Sequence, residues 1–88
     1  MDIESAYSHL KTIAGKMGII VKEEKVKGEE SSAGGYCLIR GKPCIILNLL
    51  STKEDRIKVL AEALKRFDLD TVHIPLWLRE MYFREDEE

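Results

Sequence analysis

The sequence predicts a small α+β domain whose elements follow the order α-β-β-β-α-(β)-α. Three observations lead to this prediction: amphipathic segments at residues 2–17 and 53–67, and between them two apolar runs at residues 36–39 and 44–50. Apolar side chains recur at helical spacing in the amphipathic segments, whereas the short apolar runs are typical of strands. We therefore expect two or three helices and a small antiparallel sheet of three strands, or of four if residues 71–74 also pair.

The length and composition fit one globular domain. The 88 residues are 44% hydrophobic and 34% charged, which is ordinary for a folded protein and argues against disorder. We assign residues 1–88 to a single domain, and we expect its acidic end, residues 85–88, to be disordered.

The charge pattern disfavours nucleic acid as a partner. The formal net charge is −2, and lysines and glutamates are interleaved at residues 22–25, so no concentrated basic face is expected. No apolar run approaches the roughly 18 residues that span a bilayer, and the acidic N-terminal segment lacks the pattern of a signal peptide. We therefore expect a cytoplasmic protein with no membrane partner, in which the 2 cysteines are thiols.

The first part of the chain predicts a helix, an edge strand and a loop. The helix at residues 2–17 carries one apolar stripe and is expected to stop at Gly18, a residue type that favours helix ends. Residues 19–24 begin with β-branched side chains and end with charged ones, which is typical of a strand at a sheet edge. The glycine- and serine-rich residues 27–35 predict a mobile connection, with a binding loop as the alternative.

The two central apolar runs predict a hairpin. Arg40 and Gly41 allow a two-residue turn, and residues 40–43 allow a four-residue turn. The shorter turn places Cys37 directly across from Cys44. Either turn puts the same side chains on one face of the hairpin: Cys37, Ile39, Cys44 and Ile46. Because the opposite face is apolar as well, the second strand of the hairpin is expected to be central and covered on both sides.

A helix at residues 53–67 is expected after a capping box formed by Ser51 and Glu54. Its buried stripe is predicted to consist of Ile57, Leu60, Ala61, Leu64 and Phe67. Residues 71–74 favour either a short strand or an extended connector. A third helix is expected over residues 75–84, with a proline in its first turn.

Residues 60–66, Leu-Ala-Glu-Ala-Leu-Lys-Arg, follow a strand that ends in Asn48. This arrangement resembles the core of the ImmA/IrrE-type zincin metallopeptidases, where a strand ending in asparagine precedes a helix bearing Leu-Ala-His-Glu-Leu-Gly-His. The resemblance implies that Glu62 and Arg66 stand at the two zinc-ligand positions and Ala63 at the position of the catalytic base. Since a guanidinium does not bind zinc and alanine is not a base, it implies an inactive scaffold. The whole chain also looks similar to small uncharacterised bacterial proteins.

Few other residues suit metal or redox chemistry. The potential zinc ligands lack the close spacing of a zinc-binding motif: His9, Cys37, Cys44 and His73. We therefore expect no metal and no cofactor. Cys37 and Cys44 are open to two interpretations, as small buried hydrophobic residues or as a reversible disulfide across the hairpin.

The third helix has more apolar residues than one helix face can bury: Leu76, Trp77, Leu78, Met81, Tyr82 and Phe83. Within a monomer, these residues cover the sheet and the second helix. In an assembly, they form an interface, where Trp, Tyr, Phe and Met are enriched. Both interpretations stay open.

We expect a non-enzymatic protein–protein interaction module that forms a homodimer or binds a protein partner. The predicted interaction residues are Leu76, Trp77, Met81, Tyr82 and Phe83. One alternative is a degenerate zincin-like metallopeptidase relative with residual or in-trans activity. The other is a redox-responsive module that uses Cys37 and Cys44.

Overall fold

The computed structural model describes residues 2–28 and 33–84, and its elements follow the predicted order. The helices are α1 (Ile3–Lys16), α2 (Lys53–Leu64) and α3 (Leu76–Tyr82), with a short 3-10 helix at Leu69–Thr71. The strands are β1 (Ile20–Glu24), β2 (Gly34–Ile39) and β3 (Lys42–Asn48), which form one sheet. The predicted α+β class is confirmed. The acidic end at residues 85–88 and part of the predicted loop at 27–35 lie outside the described residues.

β3 is the central strand of the sheet, and β1 and β2 form its edges. The shorter of the two predicted turns joins β2 to β3, so that Cys37 lies directly across from Cys44. Arg40 and Gly41 have φ angles of 55° and 80°, and a two-residue turn of type I′ requires positive φ at both positions. The hairpin and the central position of β3 are confirmed.

The prediction of a wholly antiparallel sheet is wrong for β1, which runs parallel to β3. Ile20 pairs with Cys44, and Glu24 pairs with Asn48. The chain leaves β1 past the end of β3, where Asn48 Nδ2 donates to the Val26 carbonyl and Asn48 Oδ1 accepts from the Val26 amide, each at 3.0 Å. Val26 and Ala33 therefore both lie beside Asn48 at the end of β3.

The helices cover the face of the sheet that carries Ile45 and Leu47, and both of these side chains are fully buried. α1 and α2 pack against each other and against the sheet, and α3 adds Leu78 to the same core. Cys44 is buried but lies outside this core, because alternate residues of a strand point to opposite faces. The described helices therefore cover only one face of β3, while on its other face Cys44 is buried and Ile46 is half-buried.

The N-cap of α2 lies one residue later than predicted. Thr52 is the N-cap and accepts a hydrogen bond from the Asp55 amide at 3.1 Å, while Ser51 Oγ donates to the Asn48 carbonyl at 2.7 Å. The predicted capping box of Ser51 and Glu54 is therefore wrong. Thr52 and Asp55 have the same three-residue spacing one position later, and in the structure the Thr52 hydroxyl caps the Asp55 amide.

The segment before α3 is not a strand. Residues 71–74 end the 3-10 helix and continue as an extended connector, so the described chain contains no fourth strand. Pro75 stands at the N-cap of α3, one position before the helix begins. In the described part of the chain, no helix is both long and apolar enough to span a bilayer.

Candidate interaction surfaces

The apolar residues of α3, predicted as an interaction surface, are divided between core and solvent. Phe83 is buried in the core, and Trp77 and Tyr82 are half-buried against it. Leu76 is 68% exposed and Met81 is 56% exposed. The largely exposed part of the predicted surface therefore consists of two side chains.

The hairpin brings the two predicted redox residues together. Cys37 and Cys44 are free thiols directly across from each other, on the face of the sheet opposite the core. Cys44 is fully buried, whereas Cys37 is half-buried. Burial raises the pKa of the Cys44 thiol, and the neighbouring Cys37 thiol acts in the same direction.

The two histidines line one groove of about 310 Å³, although their separation in sequence gave no sign of it. His9 lies on α1 and His73 in the connector before α3. The His9 ring packs edge-to-face on Trp77, with 5.6 Å between ring centroids, and its Nδ1 lies 3.0 Å from the Ser5 carbonyl. Neither cysteine lines this groove. Within residues 2–28 and 33–84, no three His, Cys, Asp or Glu side chains are arranged to hold a metal.

A second groove, of about 320 Å³, lies between α2 and β2. Its lining includes Gly34, Gly35 and Tyr36 from β2 and Lys58, Glu62, Ala63 and Arg66 from the α2 side. The residues at the zincin-like ligand and base positions therefore lie on one groove. Glu62 pairs with Lys65 at 3.5 Å, and the Arg66 guanidinium lies over the Tyr36 ring, 4.8 Å from its centroid. None of these contacts prepares a site for metal chemistry.

β2 is an edge strand of the sheet, and none of its residues is charged, so it lacks the charges that discourage pairing with another strand. The Asn48 amide donates to the Ala33 carbonyl at 2.8 Å, so residues 33 and 48 form a hydrogen-bonded pair. Such pairs recur at every second residue of an antiparallel ladder, so residues 35, 37 and 39 also bond to β3, and residues 36 and 38 do not. The register therefore directs the amides of Tyr36 and Leu38 away from β3, toward the open side. In β1, by contrast, three of the five residues are charged, which discourages pairing with another strand.

The groove between α2 and β2 favours negative charge in a ligand. Lys58 and Arg66 stand about two turns apart on the α2 side of the groove. Glu62 lies between them and pairs with Lys65 at 3.5 Å, so the groove lining carries two cations and one acid. The ring of Tyr36 adds an apolar surface beside these cations.

Arg56 fixes the start of α2 from a buried position, with only 8% of its surface exposed. Its Nη1 donates to the Ser51 carbonyl at 2.7 Å and lies 3.3 Å from the Leu49 carbonyl, and its Nε donates to the Tyr7 hydroxyl at 3.1 Å. The sequence patterns predicted no such role. Helical spacing carries a signal for it, because Arg56 lies one turn before Leu60 on the buried stripe.

Tyr7 extends this network to β1. Its hydroxyl donates to Glu23 Oε2 at 2.6 Å, and Lys11 Nζ donates to the same oxygen at 3.1 Å. The hydrogen bond from Tyr7, and after it the one from Lys11, lowers the pKa of Glu23, whereas burial raises the pKa of Tyr7. The Glu23 contribution to stability is therefore present above the pKa of the unfolded state. It is lost as the pH falls through the lowered folded-state pKa.

The fold and these surfaces define a small α+β domain with an uncharged edge strand, β2, and a groove beside it that carries Lys58 and Arg66. Comparisons of the chain with protein-family models, with curated proteins and with solved structures found no match.

Proposed function

We propose that this protein is a non-catalytic interaction module that binds an extended, acidic segment of a partner protein along β2. The observation that carries the proposal is the contrast between the two edges of the sheet. β2 is uncharged and borders a groove, whereas β1 carries three charged residues. An extended segment can add to such an edge through main-chain hydrogen bonds, while side-chain pockets supply specificity.

The amides of Tyr36 and Leu38 supply the main-chain part of the site, because the register points both toward the open side of β2. An added strand would lie beside the α2 groove and direct every second side chain toward it. Lys58 and Arg66 would then meet acidic side chains of the partner. Two turns of helix span about 11–12 Å, and a strand rises about 3.3 Å per residue, so the partner acids should stand about four positions apart. An even spacing also places both acids on the same face of the added strand.

The non-catalytic part of the proposal is supported by residues on α2 and in the turn that follows it. Ala63 offers no base, and the Arg66 guanidinium is not a metal ligand. The degenerate metallopeptidase alternative requires metal chemistry from other residues. Stoichiometric zinc in the purified protein would favour that alternative over ours.

Selection from a random peptide display library on the immobilised protein tests the proposal. We expect enriched peptides to carry two acidic residues about four positions apart, and the double variant Lys58→Glu/Arg66→Glu to lose them and to prefer basic residues. The matched control is Lys22→Glu/Lys42→Glu, which reverses two exposed lysines on the opposite face of the sheet and should leave the selection unchanged. Failure to enrich peptides over the bare support would contradict the proposal. Selection of the same acidic peptides by the Lys58→Glu/Arg66→Glu variant would contradict it as well.

A second copy of the chain bound through α3 is the second candidate, and the exposure of Leu76 and Met81 favours it. This candidate predicts a dimer in light scattering that Leu76→Glu converts to a monomer without a change in the circular dichroism spectrum. Leu50→Glu is the control, because Leu50 is also exposed, at 53%, but lies before α2. A wild-type protein that stays monomeric at high concentration removes the candidate.

A further inference from the structure

The β2–β3 hairpin holds its two thiols on residues that lie directly across from each other. The hydrogen bond from the Asn48 amide to the Ala33 carbonyl marks residues 33 and 48 as a hydrogen-bonded pair. Because such pairs recur every second position, Cys37 and Cys44 form a pair of the same kind. Their Cα atoms are then about 5.5 Å apart, within the range of about 4.4–6.8 Å found in disulfides. The Cβ atoms of a hydrogen-bonded pair are also about 5.5 Å apart, beyond the roughly 3.5–4.5 Å of a disulfide, so the two strands must move slightly closer at this pair for the bond to form.

The two thiols differ in access to solvent. Cys37 is half-buried and can be reached by a small oxidant, whereas Cys44 is fully buried beneath its neighbours. Burial raises the pKa of Cys44 and keeps it in the thiol form, and the Cys37 thiol lies close enough to affect it. The half-buried Cys37 is therefore suited to react first, and the buried Cys44 to resolve the product.

We propose that Cys37 and Cys44 form a reversible disulfide across β2 and β3, so that the hairpin responds to peroxide. In the first step the Cys37 thiolate attacks a peroxide oxygen, the O–O bond breaks, and hydroxide leaves and is protonated to water. Cys37 is then a sulfenic acid. In the second step the Cys44 sulfur attacks the Cys37 sulfur, the S–O bond breaks, and the Cys44 proton leaves with the hydroxide as water. One peroxide is reduced to water as the two thiols are oxidised, and a dithiol reductant reverses the change by thiol–disulfide exchange.

This site is independent of strand addition at β2. The Cys37 side chain lies on the sheet face opposite the core, whereas a partner strand would occupy the β2 edge in the plane of the sheet. Oxidation at Cys37 therefore remains feasible whether or not the edge is occupied. The competing role of the two cysteines is as small apolar residues that only fill space.

Peroxide titration of the full reduced chain tests the proposal, with thiols counted by alkylation after acid quenching and denaturation. We expect both thiols to disappear together, the intact mass to fall by two hydrogen atoms, and a peptide map to show Cys37 linked to Cys44 in a monomer. Dithiothreitol should restore both thiols. Survival of both thiols at peroxide levels that oxidise free glutathione would overturn the proposal, as would a disulfide formed only between chains.

Two serine variants separate the roles of the cysteines. Cys44→Ser should leave Cys37 to form a sulfenic acid that dimedone traps. Cys37→Ser should leave only Cys44, which should react with peroxide at no more than about one tenth of the rate of Cys37 in the Cys44→Ser variant, because Cys44 is buried. Equal reactivity of the two variants would overturn the assignment of Cys37 as the residue that reacts first.

Discussion

Replacement of Gly34 by alanine is expected to lower the free energy of unfolding by about 2–4 kcal/mol. Gly34 begins β2 with a φ angle of 134°, a conformation that residues with a Cβ atom rarely adopt. A Cβ atom would overlap the carbonyl oxygen of Ile46 and lie 2.9 Å from its carbonyl carbon. These atoms belong to the backbone of the central strand, so the clash cannot be relieved by rotating a side chain.

Gly35→Ala is the matched control for this prediction. Gly35 is the next residue of the same strand, and a Cβ atom there has no neighbour within 4 Å. Urea unfolding followed by Trp77 fluorescence and circular dichroism measures both variants, with a shift of the midpoint as the readout. A Gly35→Ala variant as unstable as Gly34→Ala would show that the close approach to Ile46 is not the cause.

Replacement of Arg56 by methionine, which keeps most of the side-chain length, is expected to cost about 2–4 kcal/mol of stability. The guanidinium donates to the Ser51 carbonyl and the Tyr7 hydroxyl at a buried position. Without it, the turn between β3 and α2 loses the donor that holds its carbonyl groups, and α2 loses its fixed start. The Tyr7 hydroxyl would retain its bond to Glu23.

Lys53→Met is the control, because it removes a cation from the first turn of the same helix. Lys53 pairs with Glu4 at 2.7 Å, but the Glu4 side chain is 77% exposed, so the loss should not exceed about 1 kcal/mol. The same urea experiment compares the two variants. Equal losses, or an Arg56→Met variant with wild-type stability, would contradict the structural role assigned to Arg56.

The local patterns of the sequence predicted the elements that depend on local interactions. Arg40 and Gly41 have a sequence that suits a two-residue turn. This turn determines the register of the hairpin, in which Cys37 lies across from Cys44. The amphipathic stripe of α2 likewise predicted buried Leu60 and Leu64. Both features are determined by residues close together in the chain.

Features that depend on distant residues could not be predicted in the same way. The sequence of β1 contains no signal for its direction relative to β3, which depends on how Asn48 holds the chain at Val26. The burial of Arg56 depends on the Tyr7 hydroxyl, 49 residues away along the chain. The burial of Phe83 depends on core residues that lie far from it in the chain.

The proposed binding site has the same mixed origin. The expected likeness to zincins predicted that Glu62 and Arg66 lie on one face of the second helix, although it implied no activity for them. Only the strand order places the uncharged β2 at an edge beside that face. An apolar strand reads the same in sequence whether it lies at the edge or in the centre of a sheet.

Amide hydrogen exchange measured by NMR tests the binding role of β2 most directly. It should be recorded for the free protein and for its complex with a synthetic peptide enriched in the display selection. We expect the Tyr36 and Leu38 amides to exchange rapidly in the free protein and to slow by about tenfold or more in the complex, while the amides of β1 stay unchanged. Slowed exchange confined to β1 or α3, with Tyr36 and Leu38 unaffected, would contradict strand addition at β2.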